Sequence, residues 1–202
     1  MTGFVDRQHA AQLMERAGIA ALVLCAPEAF HYATGAWIGP AGLFRRAGGG
    51  FVVIPAKQDL PIGIVVADFN AAQLGIAAPE AIVRSHPIWI DSAPVDTSHG
   101  LPLAERIEAG LASLGRTPDF SRPATFDLAG SVRQLQLLLH DFGLARATLG
   151  IDLDFVPAAD FVAIQALLPH NPMVDGSPVL DRLRAVKSQR EIDLLQQGIF
   201  LS

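Results

Sequence analysis

Cysteine occurs once in these 202 residues, at Cys25. A lone cysteine excludes an intramolecular disulfide and any multi-cysteine zinc site, and it accords with a reducing cytoplasm. Lysine is almost as scarce: thirteen of the fifteen basic residues are arginine, a coding bias more than a chemical signal. The basic residues are scattered and the net charge is -5, so no nucleic-acid-binding surface is marked out. No apolar run approaches the roughly 18 residues that a membrane span requires. The opening "MTGFVDRQHAAQLMERAG" lacks the apolar block of a signal peptide. These absences predict a soluble, cytoplasmic chain without membrane or nucleic-acid partners.

Catalytic signatures are missing as well. There is no HExxH, GxSxG, GxxxxGK[ST] or GxGxxG after a strand. Gly48 to Gly50 precede a strand, whereas a phosphate loop leads into a helix N-terminus.

What is present is an alternation of strand-like and helix-like stretches. Half the residues are hydrophobic, enough for a sizeable core. Val5, Leu13, Met14 and Ala17 share a helical face closed by Gly18, and "IAALVLC" reads as a buried strand. "PEAFHYATG" begins with a first-turn proline and ends on Gly35, predicting a short helix. "WIGPAGLFRRAGGG" is loop, and "FVVIP" and "PIGIVV" suggest a hairpin. "DFNAAQLG" predicts a helix, "AIVRSH" a strand and "PIWIDSAPVDTSHG" a loop. Helical spacing returns from Pro102 to Leu114 and from Leu128 to Phe142. "ATLGIDLD" is strand, "PAADFVAIQALLP" helix and "NPMVDGS" extended, and Ser177 is the expected cap of a helix with Pro178 at its first position. Such alternation argues for a layered α/β domain.

The candidate chemistry is sparse. Asp152 and Asp154, two apart at a strand end, suit metal binding or acid–base work, or else a solvated strand end and a helix cap ahead of Pro157. The histidines at positions 9, 31, 86, 99, 140 and 170 show no ligand spacing, with His31 and His86 kept because each adjoins a strand–loop junction. Cys25 reads as a small core residue. Ser188 and Glu191 form the S-x-x-E of a capping box, which starts a fresh helix at Gln189 whose stripe is Ile192, Leu195 and Ile199.

The segment "PHNPMVDGSPVLDRLRAVKSQREIDLLQQG" resembles the interdomain connection of the creatinase, prolidase and aminopeptidase P family, the pita-bread metalloenzymes. Asp175, Ser177, Leu183, Arg184, Val186, Lys187, Ser188, Glu191 and Ile192 stand at the positions of that pattern. "GIAALVL" followed by "PEAFHYATG", with Tyr32, Thr34 and Gly35, is similar to the family's first strand–helix unit. "GLFRRAGGGFVVIP" and "ATLGIDLDFVPAADFVAIQALLP" resemble two later stretches, so the likeness spans nearly the whole chain.

The resemblance implies a three-layer α/β/α domain with a mixed, ribonuclease H-like sheet over residues 1–186. Residues 187–202 would be the linker and first helix of a catalytic domain. It implies a non-catalytic N-terminal domain of a Xaa-Pro peptidase-like enzyme, contributing to dimerisation and substrate gating. A divalent metal (Mn, Co or Zn) would sit in the catalytic domain, on ligands that this chain does not supply. The expected partners are that domain, a second copy and a small peptide, and the 202-residue chain itself is expected to be inactive. A creatinase-like amidinohydrolase acting on a small carboxylate, and a standalone binding or dimerisation module, remain alternatives.

Arg45 and Arg46, beside Phe44 and near Trp37, Tyr32 and His31, are the candidate gating residues, because an arginine fork suits a peptide carboxylate. Ordinary solvated loop arginines are the other reading. In creatinase-like members an aromatic two places before an arginine contacts substrate; Phe44 and Arg46 have that spacing, which makes Arg46 the first choice.

Overall fold

The computed structural model describes residues 3–39, 42, 45–87, 100–113 and 127–201. The chain divides into two units, residues 1–87 with 128–202 and residues 88–127. In the second unit the described element is a helix, α4 (Leu103–Ser113). Phe44, Leu114, His99 and most of the predicted 87–100 loop lie outside the described residues.

The first unit is a three-layer α/β/α sandwich. Its strands are β1 (Ala21–Leu24), β2 (Gly50–Pro55), β3 (Gly63–Ala67), β4 (Ile82–His86), β5 (Leu149–Ile151) and β6 (Met173–Asp175), in the order β4-β3-β2-β1-β5-β6. β2 runs antiparallel to both β1 and β3, while β3–β4, β1–β5 and β5–β6 are parallel, so the sheet is mixed. The predicted hairpin is the β2–β3 pair, with Val53 opposite Gly63.

Alternation along the strands divides the core in two. Leu22, Leu24, Val52, Ile54, Ile64 and Val66 pack beneath α1 (Arg7–Ala17), α2 (Pro27–Thr34), α3 (Asp68–Ala77) and α7 (Ser177–Ala185). Val23, Cys25, Phe51, Val53, Val65, Leu149 and Ile151 face α5 (Leu128–Asp141) and α6 (Ala158–Leu167). Cys25 is therefore the core residue its size predicts.

Local chemistry sets the helix ends. The Asp6 carboxylate accepts from the His9 amide at 2.9 Å to open α1, and Gly18, at φ 67°, closes it in the left-handed region that glycine adopts without steric cost. Pro27 opens α2. One expectation fails: Ser177 is the first residue of α7 rather than its cap. Its amide donates to Asp175 Oδ1 at 2.9 Å, and its hydroxyl accepts from the Asp154 amide at 3.1 Å, tying the helix start to the turn after β5. Gly176 permits that approach, because a Cβ there would lie 2.7 Å from the carbonyl carbon of Gly150.

The capping box forms as its spacing predicts. Ser188 N–H donates to Glu191 Oε2 at 2.8 Å, Glu191 N–H donates back to Ser188 Oγ at 3.3 Å, and α8 runs from Gln189 to Leu201. Leu194, Leu195, Ile199 and Phe200 on α8 are exposed.

Candidate functional site

A groove of about 820 Å³ lies where α2, the loop after it, the α7–α8 junction and the first turns of α8 converge. Sequence-distant residues meet there: Phe4 near the N-terminus, His31 and Tyr32 from α2, Trp37 and Arg45 from the loop, and Arg184, Lys187, Glu191, Leu194 and Leu195. Its floor is aromatic. Phe4 stacks on Tyr32 at 6.2 Å between centroids, with 22° between planes, and packs obliquely on His31. The Tyr32 hydroxyl donates to the Leu183 carbonyl at 3.3 Å; burial first, then the nearby Glu191 charge, pushes its pKa up to about 12. Tyr32 is thus a neutral wall. Trp37, 52 % exposed, presents its ring at the mouth.

Charges ring this floor. Arg45 donates to Glu28 at 2.8 Å and lies 5.1 Å from the Phe155 ring centroid. That bond, ahead of other causes, lowers the Glu28 pKa. The Arg184 guanidinium stands 5.9 Å from the Tyr32 ring centroid, and Lys187 Nζ donates to the Arg184 carbonyl.

Four of the six candidate gating residues, His31, Tyr32, Trp37 and Arg45, share this groove. Arg46 does not line it. Its fork is taken by Asp160 on α6, Nε to Oδ2 at 3.2 Å and NH2 to Oδ1 at 3.0 Å. Two consecutive arginines therefore anchor one loop to two different helices. Sequence reading missed Phe4, Glu28, Leu194 and Leu195 at the groove. Arg184, Lys187 and Glu191 were visible in the connector pattern, although nothing local marked them as groove residues.

Asp152 is neither a solvated strand end nor a cap ahead of Pro157. It is 2 % exposed, and the helix it serves is α2. The Cys25 amide donates to both of its oxygens at 2.9 Å and the Ala26 amide to Oδ2 at 2.8 Å. Burial outweighs these bonds and raises its pKa to about 6; the Cys25 thiol is pushed up, first by burial and then by Asp152. His86 is buried at the end of edge strand β4, its Nδ1 3.3 Å from the Pro87 carbonyl. Among the described residues no group of three or more His, Cys, Asp or Glu is placed to hold a metal, and no helix is long and apolar enough to cross a membrane.

The architecture matches solved structures of peptidases. Xaa-Pro dipeptidase from Bacillus anthracis superposes with a TM-score of 0.58 at 14% identity, covering 95% of this chain and 38% of that one. The N-terminal domain of the cytoplasmic peptidase PepQ from Mycobacterium tuberculosis H37Rv superposes at 0.54 and 13% identity, covering 88% of this chain and 96% of that domain. The aminopeptidase P, Xaa-Pro aminopeptidase, from Streptococcus thermophilus gives 0.52 at 11% identity, covering 88% and 94%. The chain thus has the fold of the N-terminal domains of these peptidases, the fold that its connector motif implied, and spans little more than a third of the Bacillus enzyme. No protein-family model and no curated sequence matches it.

Proposed function

We propose that this chain serves as the non-catalytic N-terminal domain of a Xaa-Pro peptidase-like metalloenzyme, contributing to dimerisation and to substrate gating. The observation that carries the reading is the pair of coverages: 96% of an isolated peptidase N-terminal domain but 38% of a whole Xaa-Pro dipeptidase. In this reading residues 1–186 form the domain, and residues 187–202 form the linker and the first helix of a catalytic domain. The exposed Ile199 and Phe200 of α8 suit a role at such a junction. The partners are the catalytic domain, a second copy and a small peptide, in the cytoplasm.

A divalent metal (Mn, Co or Zn) belongs to the catalytic domain in this reading, where it would activate water for amide hydrolysis. The described residues of this chain do not suit it, and no step is assigned to them through it. Their part is to shape access. Trp37, Tyr32 and His31 supply flat apolar surface, and Arg45 supplies a guanidinium for a peptide terminus. Arg46 acts one step back, fixing the loop on Asp160 so that Arg45 and Trp37 are presented in one place. Phe44 belongs to the same loop.

Native mass and metal content of the protein made by the source cell test this reading. It predicts a subunit well above 21.5 kDa that retains a divalent metal. A subunit of 21.5 kDa without metal would instead support a standalone module.

A further inference from the structure

The charges of the groove do not balance locally. Its carboxylates, Glu28 and Glu191, are both engaged: Glu28 accepts from Arg45 at 2.8 Å, and Glu191 Oε2 accepts from both the amide and the hydroxyl of Ser188 at 2.8 Å. The remaining cations are not paired with a carboxylate: Lys187 Nζ donates to the Arg184 carbonyl, and Arg184 stands over the Tyr32 ring. Among the described residues Arg184 and Lys187 form no salt bridge, and both are exposed on the wall of the groove. The field of Arg184 reaches across, contributing to the lowered pKa of Glu28.

Geometry narrows what would neutralise these two cations. The Arg184 guanidinium stands 5.9 Å from the Tyr32 ring centroid, and its N–H fork matches a planar acceptor. Lys187 is held three residues on by its bond to the Arg184 carbonyl. The adjoining floor of Phe4, Tyr32, Trp37, Leu194 and Leu195 is apolar and largely aromatic. Glu28 and Glu191 in the same groove penalise a dianion such as phosphate more than a monoanion. We propose that Arg184 and Lys187 form a carboxylate-binding subsite, and that the groove takes a monocarboxylate carrying an apolar or aromatic side chain, the chemistry of the C-terminal residue of a short peptide. This deepens the gating reading and rests on it only for the peptide origin of the ligand.

The test titrates the 202-residue chain with N-acetylphenylalanine and, separately, with N-acetylphenylalanine amide, by calorimetry and by the indole N–H signal of Trp37, assigned with Trp37→Phe. One charge-assisted contact predicts that the acid binds about tenfold to a hundredfold tighter than the amide. Raised salt should narrow that gap, and Arg184→Gln with Lys187→Gln should abolish it while leaving the melting temperature unchanged. Equal binding of acid and amide, no binding of either, or full discrimination in the double variant overturns the subsite. So does concentration-dependent self-association that buries Trp37 and competes with the acid, because a second copy is then the occupant. If that variant unfolds, the acid–amide gap and its salt dependence in the unaltered chain decide. The outcome is separable from the wider reading: a groove that ignores carboxylates leaves the peptidase assignment standing, and carboxylate binding in a protein without peptidase activity leaves the subsite standing.

Discussion

Asp152 offers the sharpest test of how this fold is held. Its carboxylate is buried beneath the β1–α2 turn, where it receives the Cys25 and Ala26 amides, and its pKa rises from 3.8 to about 6 because burial outweighs those bonds. The sign follows from linkage. A carboxyl whose folded pKa exceeds its unfolded pKa binds its proton more tightly when folded, so acidification stabilises the fold through this group. The contribution is absent well above pH 6, grows as pH falls through about 6, and is complete below about 3.8. Over its full range it amounts to ~3 kcal/mol, of which about 1 kcal/mol falls between pH 7 and pH 5. Asp152→Asn removes the titration but keeps one oxygen for the amides. Urea unfolding of both proteins at pH 7 and pH 5 isolates the term, since every other group titrates alike in the two. The unaltered protein should gain about 1 kcal/mol on the variant as pH falls from 7 to 5. An unchanged difference, or one of opposite sign, refutes the claim that desolvation governs this carboxylate. Asp152→Ala should be the more damaging substitution at pH 7, because it strands the buried Cys25 amide at about 1–3 kcal/mol and leaves the part-buried Ala26 amide without its acceptor.

Two further predictions concern packing and the loop. Gly176→Ala places a methyl 2.7 Å from backbone carbon of Gly150, so α7 must shift, and chemical denaturation should show a loss of about 1–3 kcal/mol. Arg46→Ala leaves the buried Asp160 without its fork; thermal melts should show a larger drop than for Arg45→Ala, and Asp160→Asn should recover part of it, whereas equal drops for the two arginines would remove the distinction drawn between them.

The sequence revealed those parts of the fold whose causes are local. Gly18 after an apolar helical stripe, Pro27 ahead of α2, the short β2–β3 connection and the Ser188–Glu191 spacing each fix structure within a few residues, and each appears where expected. The order of the strands is not local: β1 pairs with β5 across more than a hundred residues, and nothing near Ala21 announces Leu149 as its neighbour. The same limit hid the role of Asp152. Its partners lie 127 and 126 residues away, so a lone aspartate at a strand end read as solvated. Ser177 looked like a cap because it precedes a proline, yet its hydroxyl is engaged by Asp154, 23 residues earlier. At the groove, the loop residues stood out by composition. Phe4, Leu194 and Leu195 did not, because an apolar residue in a helix or a terminus looks the same whether it lines a groove or a core.

We propose that this chain gates a peptidase it does not itself constitute. The most direct measurement is hydrolysis of Xaa-Pro dipeptides, with added divalent metal, by the full-length product of the source gene, by the same protein carrying Arg45→Ala and Trp37→Ala, and by the 202-residue chain alone. The account predicts metal-dependent cleavage by the first, a higher KM with kcat largely retained in the second, and none by the third. Cleavage by the 202-residue chain, or a full-length protein indifferent to Xaa-Pro bonds, would contradict it.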